Sequence, residues 1–211
     1  MIVSFLNEYG SALITAILTH IKFVVISVSV GFIIAFILGI VLSRLPKLSS
    51  IVIPILSVFQ TIPGLVFIGV LFLYTGIQDL TVIIALSIYA IFPILKNTYV
   101  GLITVDKTLI EAARGCGMNK FQILIRVELP LASAAIVSGI RMSTIYTVSW
   151  AVLAAMIGLG GLGEFIYRGI DTNDTALIVG GAIPAALLAL AFGFIIDKIQ
   201  DKLTPRGLKR E

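Results

Sequence analysis

Among its 211 residues the chain has one cysteine, one histidine and one tryptophan, and each scarcity excludes something. A lone Cys116 cannot form an intramolecular disulfide. There is no cluster of His and Cys at metal-ligand spacing and no H-E-x-x-H, so no metal site is expected. A nucleophilic serine would need a base. The single His20 stands beside Lys22 at the edge of an apolar run, where it reads as an interfacial residue. The chain is therefore not expected to be an enzyme. No G-x-x-x-x-G-K-[ST] is present, so nothing here cradles ATP phosphates and no cofactor is expected in this chain. Repeats of 20–50 residues and low-complexity segments are also missing. The N-terminal MIVSFLNEYG has no basic n-region or small-residue cleavage site, so no signal peptide is expected.

Charge is scarce as well. Charged residues make up 12% of the chain, against about 25% in soluble domains. What replaces them is apolar: 59% hydrophobic residues and a mean hydropathy of +1.13. Several apolar runs reach the roughly 18 residues a membrane helix needs. The reading is an all-α, polytopic membrane protein forming a single domain over 1–211, with five transmembrane helices. Residues 1–22 read as an interfacial helix, because Phe5, Leu6, Tyr9, Leu13 and Ile17 share a face. The expected spans are Phe23 to Ser43, Ile51 to Tyr74, Thr81 to Leu95, Leu131 to Met156 and Ala176 to Ile196. Lys96 and Asn97 act as a stop, and residues 197–211 as a polar tail. The run Gly158 to Gly163 is too rich in glycine for a stable helix.

The net charge of +4 does not point to nucleic acid, because the basic residues are placed as a membrane protein requires. All of the 15 Lys and Arg residues except Lys22, Arg141 and Arg168 fall in segments on one side of the five spans. Basic segments stay inside. This predicts a multi-pass plasma-membrane protein with its N-terminus outside and its C-terminus in the cytoplasm.

The only long polar stretch between spans is 98–130. Within it, Thr108 to Cys116 suits one short helix, broken at Gly115 and Gly117, since glycine takes the left-handed conformation that ends helices. Asn119 reads as the N-cap of a second short helix, with Phe121, Leu124 and Ile125 on one face. Pro130 suits the first turn of the next helix. Two short helices bent at glycines make a knob suited to insertion into a soluble partner.

This stretch, Glu111-Ala112-Ala113, three residues, Gly117, nine residues, then Val127-Glu128-Leu129-Pro130, resembles the EAA loop of ABC-importer permeases. Val127 stands where the pattern usually has Ile. The resemblance implies a type I ABC-importer permease whose loop docks into a cytoplasmic ABC ATPase. Its coupling residues would be Glu111, Ala112, Ala113, Gly115, Gly117, Leu129 and Pro130. Ala112 and Ala113 are small enough for close docking, and Glu111 is expected to pair with a basic group or cap its helix.

The resemblance extends through Gln60-Thr61-Ile62-Pro63, Phe92 to Tyr99, Gly139-Ile140-Arg141 and Ile157 to Gly163. These are similar to the permeases of osmoprotectant importers for glycine betaine, carnitine and choline. The Gly-Gly-Leu-Gly element also occurs in methionine-importer permeases, the nearest alternative. An ATP-independent channel or carrier is the alternative of a different class. Ion-coupled carriers need ionisable groups in their spans, and the expected spans contain no Asp, Glu or His. With no soluble binding domain appended, the resemblance implies a separate extracellular solute-binding protein. It also implies a second permease chain, identical or related, assembled with this one in the lipid bilayer.

Five residues are candidates for the pathway, each with a structural alternative. Gln60 and Pro63 either line it or mark an ordinary kink. Arg141, the one charge in an expected span, either lines the path or the seam between permeases, or bonds carbonyls freed at Pro63 or Pro93. Tyr146 and Trp150, four apart on one face, either attract a quaternary ammonium through their rings or pack near the outer interface.

Overall fold

The computed structural model describes residues 2–203, all of whose regular elements are helices. In chain order these are α1 (Ile2–Arg44), α2 (Pro46–Phe59), α3 (Gly64–Thr75), α4 (Asp79–Ile103), α5 (Lys107–Gly115) and α6 (Lys120–Ile123). A π turn (Leu124–Glu128) leads into α7 (Leu129–Ala151), and a 3-10 segment (Val152–Ile157) follows. α8 (Leu162–Asp171) and α9 (Thr175–Leu203) complete the order. Four stretches are long and apolar enough to cross a membrane: Phe5–Arg44, Asp79–Ile103, Lys120–Ile157 and Thr175–Lys202. The pair α2 and α3 makes a fifth if counted as one broken span.

The first expected boundary is absent. Residues 1–22 do not form a helix separate from the first span, because α1 runs unbroken for 43 residues. Nothing between Leu13 and Gly31 is a glycine or proline, so no residue there interrupts the backbone ladder. His20 does not project from the protein towards a membrane interface. It is fully buried, and its Nε2 donates to the Val148 carbonyl at 3.0 Å.

The second expected span is not one helix. α2 and α3 meet at 90° across residues 60–63. Pro63 has no N–H to bond the Phe59 carbonyl. That carbonyl instead accepts from Ile62 at 3.3 Å, closing a tighter turn that ends α2. Two further ends move. α4 continues through Lys96 and Asn97 to Ile103, and α9 continues through 197–203, so those residues are helix rather than stop or tail. Residues 204–211 of the expected tail lie outside the described residues. Of the glycine run, Gly158 to Gly161 is irregular, but Leu162 and Gly163 already belong to α8.

α4 is the centre of the packing. It lies against α1 on one side and α7 on the other, and α9 covers α7 and α8. Val82, Leu86, Ile94 and Leu95 of α4 are completely buried, packed against Phe23, Val24 and Ala35 of α1 and Val148 of α7. Ser143 of α7 donates to the Ala90 carbonyl at 2.9 Å, an interhelical bond of the kind that holds membrane helices together. At one end of the bundle Phe5, Tyr9 and Phe165 form an aromatic cluster joining α1 to α8. At the same end α9 begins, with Gly180 facing Phe5.

Candidate functional site

The polar stretch folds as a knob at the other end of the bundle. Asp106 caps α5, its Oδ1 accepting from the Thr108 amide at 2.8 Å. That bond holds the Asp106 carboxyl below the usual carboxylate range. The cap is therefore Asp106 and not Glu111, which is exposed with no ion pair among the described residues. Gly115 is the last residue of α5 rather than a break in it.

The break is Gly117, at φ +81°. Its amide donates to Arg114 and the Met118 amide to Ala113, the paired bonds of a Schellman turn. Open space surrounds a Cβ at this position, so the requirement for glycine comes from the backbone alone. Asn119 caps α6 as expected. Its Oδ1 accepts from the Gln122 amide and Gln122 Oε1 from the Asn119 amide, both at 2.9 Å.

The second short helix is not free-standing. α6 passes through the π turn into α7, with the Leu129 amide bonding five residues back to Leu124. Pro130 follows in the first turn of α7, and Leu129 and Pro130 are half-buried there. Half the knob is thus an extension of a spanning helix. Ala112 is exposed and Ala113 is buried within the chain, so only the first of the pair offers a docking surface. Apolar Leu109 (48%) and Phe121 (69%) are exposed on the same knob.

Sequence reasoning missed the residue that anchors this knob. Glu128 is 3% exposed and takes both Arg44 guanidinium nitrogens, Nη1 at 2.9 Å from Oε1 and Nη2 in close contact with Oε2. Arg44 ends α1, immediately before the Leu45–Pro46 corner into α2. One bidentate pair therefore joins the knob to two membrane helices. The only sequence signal for it is a carboxylate inside an otherwise apolar VELPL.

Three of the five candidate pathway residues meet at the α2–α3 elbow, around Tyr89, which the sequence did not single out. Pro93 leaves the Tyr89 carbonyl without its helical partner. Gln60 Nε2 donates to that carbonyl at 3.0 Å. The Tyr89 hydroxyl donates to Ile62, the residue before Pro63, at 2.8 Å. Trp150 stacks on the Tyr89 ring at 4.3 Å, and Phe67 meets it edge-on at 5.4 Å. Gly64 lies beneath Trp150, where a Cβ would come within 1.8 Å of Cζ3. Trp150 is therefore packed on the elbow, with one ring face occupied.

Arg141 and Tyr146 lie apart from that cluster. The carbonyl freed at Pro93 is taken by Gln60, so Arg141 does not serve it. Arg141 Nε reaches Asp197 Oδ1 of α9 at 2.7 Å, with the two side chains 45% and 49% exposed. The expected spans themselves contain no Asp, Glu or His, but the helices run beyond them, and the longer stretches take in His20, Glu128 and Asp197 among others.

On α7, exposed Ser138, Arg141, Met142, Tyr146 and Ser149 occupy one face spanning about 140° at 100° per residue. The exposed faces of α1 and α9 are apolar by contrast, with Ile33, Ile37, Ile183 and Leu190 among their members. A charge in hydrocarbon costs about 2.5–3.5 kcal/mol on insertion scales. An exposed ion pair returns only about 0–1 kcal/mol. On these magnitudes the polar face of α7 suits water or protein, and the apolar faces suit lipid.

Residues 27–208 match the family model described as "Binding-protein-dependent transport system inner membrane component". Over 99% of this chain and 95% of its own length, the carnitine transport permease protein OpuCB of Listeria monocytogenes is 42% identical. The choline transport system permease protein OpuBB of Bacillus subtilis is 39% identical over 99% of this chain and 96% of its own. The glycine betaine/carnitine/choline transport system permease protein OpuCB of B. subtilis is 37% identical, over 98% and 95%. Among solved structures, the inward-facing MetNI methionine ABC transporter superposes with a TM-score of 0.82, covering 92% of this chain and 96% of that one. At 22% identity this is a likeness of fold, that of a type I importer permease.

Proposed function

Because the chain belongs to the family of binding-protein-dependent transport system inner membrane components, and is the multi-pass permease subunit of an ABC-type importer rather than an enzyme, we propose that its solutes are quaternary-ammonium osmoprotectants such as glycine betaine, carnitine and choline. What carries this reading is the full-length similarity to permeases named for those solutes, at 37–42% identity. The methionine-type alternative has only the shared fold in its favour.

A cytoplasmic ABC ATPase takes the knob, with Glu111, Ala112 and the Gly117 turn at the contact, and supplies the bound ATP. The exposed apolar Leu109 and Phe121 give that contact its buried area. A separate extracellular binding protein delivers the solute, and a second permease chain completes the pathway. The polar face of α7, with Arg141 and Tyr146, lines that pathway. Gln60, Pro63 and Trp150 shape the elbow beside it.

The N-terminus is outside and the C-terminus cytoplasmic. In support, α1 and α9 both begin at the end opposite the knob, and the basic Arg44, Lys107, Arg114, Lys120 and Arg126 gather at the knob end.

The test is uptake by the complex of permease, ATPase and binding protein reconstituted in liposomes. ATP-dependent entry of labelled glycine betaine, carnitine or choline is expected. Entry of methionine with none of these would overturn the solute class.

A further inference from the structure

Resting on the reading that the polar face of α7 lines the pathway, and narrowing the proposed solutes to the zwitterions glycine betaine and carnitine over choline, we propose that the Arg141–Asp197 pair is a selectivity site for small zwitterions, solutes carrying a carboxylate and a quaternary ammonium together. The two charges come from different helices, α7 and α9, and meet at 2.7 Å. The Arg141 guanidinium lies across α9 at Gly193, one turn before Asp197; a Cβ there would sit 3.6 Å from Nη2, an ordinary van der Waals contact. Both side chains are close to half exposed, so a solute reaches each charge without any helix moving.

An ion pair open to water exchanges partners readily, because its own net strength is small. A zwitterion supplies both replacements at once. Its carboxylate takes the planar guanidinium fork through two parallel hydrogen bonds. Its ammonium takes the Asp197 carboxylate. The pair opens around the solute and re-forms behind it, with neither charge left bare. A cation without an acid group satisfies Asp197 and leaves Arg141 unpaired. A simple anion does the converse. Discrimination comes from the charge left unmet, and it acts after the binding protein has made its own selection.

The experiment places a cysteine at Ser138, one turn before Arg141 on the same face, in the assembled permease–ATPase complex in nanodiscs. The probe is a methanethiosulfonate reagent bearing a trimethylammonium group, and the unsubstituted chain gives the background from Cys116. Titrated glycine betaine is expected to slow modification about tenfold at roughly ten times its midpoint concentration, the form 1 + [L]/Kd requires. Choline or acetate at the same concentrations should leave the rate nearly unchanged. Arg141→Gln and Asp197→Asn should each abolish the protection by glycine betaine. The charge-exchanged double variant R141D/D197R, which keeps an ion pair and so the packing, should retain it. A reactive cysteine that glycine betaine does not protect, or that choline protects equally well, overturns the zwitterion site while leaving the pathway reading standing. If neither Ser138→Cys nor Ser149→Cys reacts at all, the pathway reading fails and the zwitterion site falls with it.

Discussion

Gln60 donates from its side-chain amide to the carbonyl of Tyr89, 3.0 Å away, and that carbonyl is the one that Pro93 leaves without a helical partner. A break in one span is thus mended by a residue at the break in another. Gln60→Leu should leave the carbonyl unsatisfied, at about 1–3 kcal/mol for a buried acceptor. Tyr89→Phe loses only the bond to Ile62, about 0.5–1.5 kcal/mol. Thermal unfolding of the purified permease should rank the two in that order. A Gln60→Leu protein as stable as the parent would show that the amide does not serve the carbonyl.

Gly64 and Trp150 should be coupled. Any Cβ at position 64 collides with the indole, and overpacking of this kind costs about 1–3 kcal/mol. Gly64→Ala is expected to lower stability and uptake. In a Trp150→Ala background the same change should cost little, because the colliding ring is gone. Additive effects in the double-mutant cycle would contradict the packing.

Arg44→Ala exposes the knob to a buried, uncompensated Glu128. Breaking a buried pair costs about 3–5 kcal/mol, and the low end applies because Arg44 is 48% exposed. The expected signature is a solute-stimulated ATPase rate that falls towards the basal rate, with the ATPase still copurifying. Arg44→Lys should recover part of the stimulation, since it restores charge without the bidentate fork. Full stimulation in Arg44→Ala would remove this pair from the coupling route.

Gly117→Val should abolish solute-stimulated hydrolysis and uptake while the membrane helices remain folded. The left-handed backbone costs a residue with a Cβ about 1–2 kcal/mol. Gly117→Asn, which tolerates that conformation, should keep most of the activity. Equal loss in both variants would place the requirement on side-chain size at the ATPase contact rather than on the backbone.

Cysteine labelling of intact cells tests the orientation. An impermeant thiol reagent should modify Asn7→Cys, while Lys202→Cys and the native Cys116 stay protected until the cells are opened. The reverse pattern would invert the topology.

Much of the frame was legible in the sequence, because its signals are local. Apolar runs marked where spans lie, and Pro63 marked a bend inside the second of them, though not that the bend reaches 90°. The Gly117 turn and the Asn119 cap were readable because each depends on residues within three or four positions. The permease resemblance was readable for the same reason, and full-length relatives bear it out. Helix ends at Leu95 and Ile196 were misplaced because polarity marks where lipid ends, and a helix ladder continues into water without regard to it. The break at 22 was misplaced because a change in amphipathicity does not interrupt the backbone.

What only the tertiary structure decided is which distant groups meet. Arg44 and Glu128, Gln60 and Tyr89, Gly64 and Trp150, and Arg141 and Asp197 lie 29 to 86 positions apart. No periodicity links such residues. Their partners are set by how α1, α4, α7 and α9 pack, and by the need of each unpaired carbonyl or charge for a partner away from water.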